Sequence, residues 1–294
     1  MSASNRLGDI EVGGGIRLYG QVEGTGQAVV LVHGLIEDYR VWTPQITPLS
    51  KQFKTVAYSR RFAVPNKNPG GPLDDTVENN VADLVGLIRN LGISPIHLVG
   101  RSYGGLISAY FAYKHPDLLR SLVLIEPVIS SLLIENPKSG IQRLRMLLVH
   151  PSVARSAVKF ESDVIKRSVS ALKHGDSQSA VKILVDGDQG GPGAFEQFSE
   201  QFRNMAVENA TSIYTFGTNW YVINKEGLRQ ITVPTLIIRG ENTIESSRYI
   251  SDSLRGLLSN SEEAIIPRAG HFAQYENPEE TNTRIIEFLA RHSH

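Results

Sequence analysis

Short runs of apolar residues recur along the chain, and the pattern within each run predicts the kind of strand it forms. The segment 16–24 alternates apolar and polar positions and ends in glycine, which is typical of a half-buried antiparallel strand. Other runs are apolar throughout, which suits strands buried on both faces of a parallel sheet. Strands of this second kind are predicted at 28–34, 54–59, 95–100, 119–127 and 233–240, with a last short strand within 261–271.

Between these runs, apolar residues recur at the spacing of an amphipathic helix. The segment 74–92 has this pattern and ends at Gly92, a residue suited to the C-terminal end of a helix. Further helices are predicted at 103–116 and 278–292. Strand and helix therefore alternate, which predicts an α/β fold with a mostly parallel, twisted sheet and flanking helices.

This alternation stops between residues 129 and 231, where no strong buried strand is apparent and the pattern is helical and of mixed polarity. The segment is too long for a simple loop. We therefore predict a core formed by 1–128 and 232–294, with 129–231 as a helical cap. Sites in open parallel sheets lie at the carboxyl ends of the strands, so a cap that leaves from such an end would cover the site.

Composition and charge exclude several classes of protein. The chain of 294 residues has 30 Lys and Arg against 30 Asp and Glu, so bulk electrostatics give no sign of a nucleic-acid or membrane-surface partner. The absence of cysteine excludes disulfides, thiolate metal sites and a cysteine nucleophile. The opening residues lack a signal-peptide pattern, and no run approaches the about 18 apolar residues of a membrane span. We expect a cytoplasmic protein; its oligomeric state is left open.

The stretch VGRSYGG at 99–105 places a serine between glycines, directly after a predicted strand and before a predicted helix. Gly100 to Gly104 fit the pattern G-x-S-x-G, whose structural context is such a strand–turn–helix junction. The turn forces the serine into a strained backbone conformation, and only glycines tolerate the crowding around it. Ser102 is therefore the candidate nucleophile, and the backbone N–H of Tyr103 is a candidate donor to an oxyanion.

A serine hydroxyl is a poor nucleophile near neutral pH and needs a general base. Of the eight histidines, His271 follows the last predicted strand and precedes the last helix. A Gly-His loop at that point can bring an imidazole over the edge of the sheet toward Ser102. His271 is therefore the candidate base. His97 lies within a predicted strand and is expected to be a packed core residue.

Several motifs in this order resemble the α/β-hydrolase superfamily over nearly the whole chain. The matching pieces are His33-Gly34 after an early strand, the Gly100–Gly104 turn, the strand PTLIIRG and the AGH that precedes the last helix. The resemblance implies a Ser–acid–His catalytic triad and an oxyanion hole. It also implies that the second oxyanion N–H belongs to Leu35, and that His33 holds its loop in place.

The third member of the triad departs from the family pattern, because Thr243 stands where the family usually has an aspartate. Glu126 is the preferred replacement, since some relatives carry the acid at the end of that strand. A charge that ends a buried apolar strand beside a proline also has no obvious solvated face. Glu241 and Glu245 remain alternatives, with a loop charge and a helix N-terminal carboxylate as their structural interpretations.

Three arginines near the predicted pocket allow two interpretations. Arg60 and Arg61 follow a strand, and Arg101 precedes the nucleophile. They could clamp an anionic substrate or pair with a buried acid such as Glu126, or they could form ion pairs at the rim that position a loop. The second interpretation is favoured. Candidates for substrate contact are Ile36, Tyr39, Leu132 and Trp220.

These residues predict a serine hydrolase of the carboxylesterase or lactonase type, which cleaves a small ester through an acyl-enzyme. Serine at the turn argues against epoxide and haloalkane hydrolysis, which in the superfamily use a carboxylate nucleophile. No cofactor or metal is predicted, because the chain has no phosphate-binding loop after a strand and no metal-ligand spacing. Two alternatives remain open: other chemistry on this fold (carbon–carbon bond hydrolase, perhydrolase or cofactor-free dioxygenase), and a hydrolase-like binding protein with little turnover.

Overall fold

The computed structural model describes residues 5–6 and 8–293 of the chain. The strands are β1 (Asn5–Arg6), β2 (Ile10–Gly13), β3 (Ile16–Leu18), β4 (Gly20–Glu23), β5 (Ala28–Val32), β6 (Lys54–Tyr58), β7 (Ile96–Arg101), β8 (Leu119–Ile125), β9 (Thr235–Gly240) and β10 (Ser261–Ile266). The helices are α1 (Thr43–Leu49), α2 (Val77–Leu91), α3 (Tyr103–Lys114), α4 (Gly140–Val149), α5 (Pro151–Lys159), α6 (Lys166–Lys173), α7 (Ser177–Asp188), α8 (Glu200–Glu208), α9 (Lys225–Arg229), α10 (Glu245–Leu257), α11 (Ala273–Glu276) and α12 (Pro278–Arg291). The opening stretch without a signal-peptide pattern lies partly outside the described residues.

Eight of these strands form one twisted sheet in the order β1-β4-β6-β5-β7-β8-β9-β10. From β6 to β10 all neighbours in this order are parallel, whereas β4 and β1 pair antiparallel at one edge. The predicted α/β class with a mostly parallel sheet is therefore confirmed. The segment 16–24 forms two strands rather than the single predicted one. At Tyr19 the chain passes from β3 to β4, and the backbone N–H of Tyr19 donates to Oδ1 of Asn66 at 2.9 Å instead of to a neighbouring strand.

The buried strands divide the core into two layers because successive side chains point to opposite faces of the sheet. In β5, Val30 and Val32 pack with α2, α3 and α10 on one face. Val29 and Leu31 pack with α1 and α12 on the other face. Burying one such aliphatic side chain contributes about 1.5–3 kcal/mol, so strands that are apolar throughout fit only between two helical layers.

The ends of α2 show the local signals that its sequence carries. The Thr76 hydroxyl accepts a hydrogen bond from the backbone N–H of Asn79, which caps the first turn. Gly92 ends the helix in the left-handed region, with φ of 60°. The apolar stripe between these two caps faces the sheet, as its spacing predicts.

The described chain between β8 and β9 contains the helices α4 to α9 and no strand. Helices α5 and α6 continue into each other through a π-helical turn at Phe160–Ile165. The helical character predicted for 129–231 matches these elements, and the division of the chain into a core and a separate cap domain stays a prediction.

The strand register brings several loops to one edge of the sheet. Val32 of β5 lies opposite Gly100 of β7, and Arg101 lies opposite Ile125 of β8. Loops that follow these strands therefore start side by side, at the carboxyl edge where sites form in parallel sheets. Within the described part of the chain, no helix has the length and apolar character needed to cross a membrane.

Candidate active site

Ser102 lies on the sharp turn between β7 and α3. Its backbone has φ of 54° and ψ of −117°, a left-handed conformation that costs about 1–3 kcal/mol for a residue with a side chain. The backbone N–H of Ser102 donates to the carbonyl of Ile125 at 2.9 Å, which ties the turn to the neighbouring strand. The strained position holds the Ser102 side chain at the wall of a cavity.

The glycines of the turn are required by close approach of the backbone. A Cβ on Gly100 would lie 2.2 Å from Oγ of Ser108, and one on Gly104 would lie 2.2 Å from the carbonyl oxygen of Val32. Both distances are far below van der Waals contact. The sequence G-x-S-x-G therefore lets the first turn of α3 sit directly against β5 and β7.

His271 lies in the loop after β10, with its imidazole directed at the serine. Its Nε2 is 3.0 Å from Oγ of Ser102, and its Nδ1 is 3.3 Å from Oε2 of Glu126. The imidazole and both partners are buried. In the tautomer with a proton on Nδ1, His271 donates to Glu126 and its Nε2 is free to accept the serine proton.

Glu126 directly follows β8 and also adopts a left-handed backbone, with φ of 46°. Its Oε1 accepts from the backbone N–H of Gly240 at 2.7 Å, and its Oε2 accepts from the Thr243 hydroxyl at 2.8 Å. A buried carboxylate needs such donors to keep its charge. Thr243, at the position where the family usually has the acid, thus supports the carboxylate that approaches from the adjacent strand.

The two alternative acids lie away from the imidazole. Glu241 is exposed and accepts from the backbone N–H of Arg268 at 2.9 Å. Glu245 is exposed in the first turn of α10, and its carboxylate faces Ser152. The structure brings Glu126 to His271 and brings neither of these two glutamates there.

The residues predicted to donate to an oxyanion flank the serine. Tyr103 is the first residue of α3, where backbone N–H groups have no acceptor within the helix. Leu35 follows His33-Gly34 at the end of β5 and lines the same cavity as Ser102. The next residue, Ile36, has φ of 54°, and its N–H donates to Oγ of Ser212 at 2.7 Å. A residue of the 129–231 segment thus helps to hold this loop.

Arg101 connects the two loops on either side of the serine. Its Nη1 donates to Glu37 at 2.7 Å, and its Nη2 donates to the backbone carbonyl of His271 at 3.0 Å. Oε2 of Glu37 in turn accepts from the backbone N–H of Gly34 at 2.8 Å. Burial raises the pKa of Glu37, although the Arg101 guanidinium opposes this shift. Arg101 is buried in an ion pair, so its charge is not offered to a substrate carboxylate.

The other two arginines also pair with acids of the protein. Arg60 donates to Asp75 at 2.9 Å and Arg61 to Asp83 at 2.7 Å. The favoured interpretation as loop-positioning ion pairs matches these contacts, except that Arg60 is buried rather than at a rim. Glu126 is the partner of neither.

His33 holds the same loop, as the resemblance implies. Its Nε2 accepts from the backbone N–H of Arg60 at 2.9 Å, and its Nδ1 lies 2.9 Å from the carbonyl of Gly34. Burial and the nearby Arg60 charge hold the pKa of His33 well below its usual value, so the ring is neutral.

A cavity of about 990 Å³ opens over Ser102 and His271 and is lined largely by apolar side chains of the 129–231 segment. Ile36 and Trp220 line it, as predicted. The structure does not bring Tyr39 or Leu132 to its wall. Tyr39 packs edge to face on Tyr19, and Leu132 is buried in the core layer beside α3, where apolar side chains gain most from burial.

The charged residue of the cavity with the most direct bearing on the site is Asp188, which the sequence pattern does not single out. Asp188, at the end of α7, lies on the cavity wall with Ser102 and His271. Burial raises its pKa, while the electrostatic influence of His271 and Arg101 opposes the shift. The only sequence signal was its place in the Gly- and Asp-rich stretch 186–195. Among the residues that the structure describes, no group of three or more His, Asp or Glu side chains could hold a metal ion.

Comparison with known proteins identifies the family. The family model for the alpha/beta hydrolase fold matches residues 27–278, which is most of the chain, and the protein belongs to this family. The family assignment agrees with the sheet, the nucleophile turn and the placement of His271 described above.

The relatives found within the family are named for different activities. The chain is 26% identical over 277 residues to Epoxide hydrolase 3 of Xenopus tropicalis, covering 89% of this chain and 71% of the relative. It is also 26% identical over 281 residues to a putative carbamate hydrolase RutD of Stutzerimonas stutzeri, covering 93% and 95%. In fold it is similar to the carboxylesterase CesB from Bacillus subtilis, with a TM-score of 0.69, 20% identity, and coverage of 98% and 92%.

Proposed function

We propose that the protein is a serine hydrolase that cleaves a small carboxylic ester or lactone through a Ser102–His271–Glu126 triad. The observation that carries this proposal is the continuous chain of contacts from the Ser102 hydroxyl through the imidazole to Glu126. A nucleophile, a base and a group that orients the base are the three parts required for acyl transfer by an alcohol side chain.

In the first half of the reaction, Oγ of Ser102 attacks the carbonyl carbon while Nε2 of His271 takes the hydroxyl proton. The carbonyl oxygen becomes an oxyanion that accepts hydrogen bonds from the N–H groups of Leu35 and Tyr103. The C–O bond to the leaving group then breaks, and His271 returns the proton to the departing alkoxide. In a lactone the alcohol remains part of the same acyl chain.

In the second half, water attacks the acyl-enzyme and His271 takes a proton from it. The new oxyanion collapses, the bond to Oγ breaks, and Ser102 regains its proton from the imidazole. In both halves Glu126 stabilises the imidazolium, and the donors from Gly240 and Thr243 keep the Glu126 carboxylate fixed. The rate gained from such an oriented carboxylate is on the order of 10⁴.

The cavity wall supports an apolar, uncharged acyl group. Ile36, Phe216 and Trp220 contribute apolar surface, and Asp188 contributes a carboxyl group close to the reacting atoms. Arg101, which precedes the serine, is paired with Glu37, and the other basic residues of the wall, Arg143, Arg155 and Lys166, are exposed to solvent. A neutral ester or lactone therefore fits the wall better than an anionic one.

Several relatives have names that denote other reactions, and the nucleophile bears on that choice. The position of the nucleophile holds a serine, whereas the resemblance implies a carboxylate there for epoxide hydrolysis. A serine nucleophile with an imidazole base suits esters, lactones and related acyl compounds such as carbamates. The ester or lactone remains the preferred class because of the apolar wall.

The proposal is tested with p-nitrophenyl esters of increasing acyl length and with simple lactones. We expect turnover by the wild type and a loss of about a millionfold in kcat for Ser102→Ala. Ser130→Ala is the matched control, because Ser130 lines the same cavity without contacting His271. Activity that survives in Ser102→Ala would favour carbon–carbon or oxygenase chemistry. Tight binding of an ester without turnover by the wild type would favour a binding protein.

A further inference from the structure

Helix α4 presents an apolar stripe to solvent. Ile141 and Leu148 are 82% and 72% exposed, and Leu144 and Leu147 between them are also more than half exposed. Their spacing places them on one side of the helix. Met146, on the opposite side, is buried against Val153 and Ala154 of α5, so the orientation of the helix is fixed by packing. The stripe is therefore a stable outward face of the folded protein.

Such a face is unusual for a helix at the surface of a protein. Surface helices normally turn their apolar stripe inward, and contiguous exposed apolar patches mark sites of interaction. Val149 and Val158 extend the patch beyond the four α4 side chains, and both are more than half exposed. We call these six side chains the apolar face.

The chain segment that carries the apolar face is strongly basic. Between residues 138 and 173 the chain has eight Lys and Arg and only two acidic residues, although the whole chain is balanced at 30 against 30. On the helix, Arg143 and Arg145 lie on either side of the stripe. All eight basic residues are exposed, and they are Lys138, Arg143, Arg145, Arg155, Lys159, Lys166, Arg167 and Lys173.

The apolar face adjoins the opening of the catalytic cavity. Leu144, Leu147 and Val158 belong both to the face and to the cavity wall. Arg155 and Lys166 also line the cavity. The same wall reaches inward to Ser102 and His271. One cavity therefore extends from the exposed stripe to the candidate nucleophile.

The charge pattern decides between possible occupants of the face. A second copy of the chain, related by two-fold symmetry, would place one basic surrounding against another, and such like-charge contacts are costly. A nucleic acid would satisfy the arginines and lysines but would leave the leucine stripe in water. An anionic lipid surface satisfies both, because acyl chains cover the stripe and headgroups pair with the basic rim.

We propose that the protein docks through α4 and the adjoining part of α5 on the surface of an anionic lipid bilayer, with the opening of the cavity toward the lipid. The apolar side chains enter the headgroup region, and the flanking lysines and arginines contact lipid phosphates. Docking does not depend on turnover. Its consequence for catalysis rests on the proposed function: an apolar ester dissolved in the bilayer reaches Ser102 without crossing water.

Docking is measured by co-sedimentation of Ser102→Ala protein with vesicles, so that no hydrolysis changes the lipid. The vesicles contain phosphatidylcholine alone, or phosphatidylcholine and phosphatidylserine in equal amounts. We expect binding to the anionic vesicles, weakened by high salt. The double variant Ile141→Ser, Leu148→Ser should bind about tenfold more weakly or worse. Arg145→Glu should lose about tenfold as well, since it replaces an attraction by a repulsion.

Matched controls make the same kinds of substitution at exposed positions outside the apolar face. Ile265→Ser removes an exposed apolar side chain of β10, and Lys51→Glu reverses an exposed charge near the amino end of β6. Both controls should bind as the unmodified protein does. The residues Ile141, Arg145 and Leu148 are not part of the cavity wall, so these variants, made in the wild type, should hydrolyse a soluble short-chain ester at the normal rate.

Three results would overturn the proposal. One is equal binding to neutral and anionic vesicles, and another is unchanged binding by the apolar and charge variants. The third is a dimer in sedimentation equilibrium that Ile141→Ser, Leu148→Ser dissociates, because the face would then join two copies of the chain. None of these results depends on ester turnover, so failure of docking and failure of the proposed hydrolysis are separate outcomes.

Discussion

The Thr243 hydroxyl donates a hydrogen bond of 2.8 Å to Oε2 of Glu126, across 117 positions of the chain. This contact resolves the departure from the family pattern at the end of β9. The position that usually carries an aspartate carries a donor instead, and the carboxylate comes from the end of β8. The two strands are neighbours in the sheet, so either can deliver an acid to the same imidazole.

Glu126→Gln should reduce kcat by about 10⁴, with little change in KM, because the amide no longer stabilises the imidazolium of His271. The matched control is Glu241→Gln, which alters an exposed glutamate beyond the end of β9 and should behave as the wild type. Steady-state kinetics with a p-nitrophenyl ester measures both. A large loss in Glu241→Gln with a small loss in Glu126→Gln would return the acid to the usual strand.

Thr243→Val should lower kcat by about tenfold at unchanged KM. The substitution keeps the shape of the side chain but removes one of the donors that fix Glu126. Leaving a buried acceptor without its donor costs about 1–3 kcal/mol of interaction free energy. Thr232→Val, an exposed threonine before β9, is the control. If the Thr243 variant matched the wild type in kcat, the hydroxyl would have no part in positioning Glu126.

Arg101→Met should lower the free energy of unfolding by about 3–5 kcal/mol, because Glu37 is left as a buried charge without its partner. The double variant Arg101→Met, Glu37→Gln should regain much of this stability. Its kcat should stay below that of the wild type, since the carbonyl of His271 has lost its donor. Urea unfolding and ester kinetics test the pair, and equal stability of the single and double variants would contradict this account.

Because of His97, the free energy of unfolding should decrease as the pH falls. Burial lowers the pKa of His97 to about 4, whereas the unfolded chain titrates near 6.5. Above pH 6.5 both states are neutral at this ring. Between pH 6.5 and 4 only the unfolded state takes up the proton, so the free energy of unfolding decreases by up to about 3 kcal/mol. His97→Gln should flatten this part of a pH series of urea midpoints; an unchanged slope would assign the effect to other groups.

Asp188→Asn should improve hydrolysis of anionic esters. The carboxyl group lies on the cavity wall near His271, and at a pH where it is ionised its charge repels an anionic ester by an amount worth about tenfold in kcat/KM. The test compares two p-nitrophenyl esters of equal length, one ending in a methyl group and one in a carboxylate. Asp163→Asn, an exposed acid of the 129–231 segment, is the control. An equal change for both esters would show that Asp188 does not select by charge.

The alternating sheet and helices could be read from the sequence because each core strand is apolar throughout and each core helix has a single apolar stripe. Ser102 and His271 could be found for a similar reason, since both stand at strand ends beside glycines. Local patterns of this kind identify elements and the loops at their ends. They do not show which loops lie next to each other in the folded protein.

Thr243, Glu37 and Asp188 interact with residues that are distant in the chain, so no local sequence pattern predicts these interactions. The sequence places Tyr39 at the cavity because it is near the oxyanion loop, and Leu132 because it lies in the predicted cap, but packing directs both side chains elsewhere. The net charge of zero concealed the basic stretch around α4, because an average over the chain cancels local asymmetry.

The most direct test of the central claim is covalent labelling with a fluorophosphonate, followed by peptide mass mapping. We expect one adduct, on the Ser102 peptide, because the probe reacts with a hydroxyl activated by an imidazole and settles in an oxyanion hole. Labelling should be lost in Ser102→Ala and strongly slowed in His271→Ala. Absence of any adduct on the folded wild type, or an adduct that persists in Ser102→Ala, would contradict the triad.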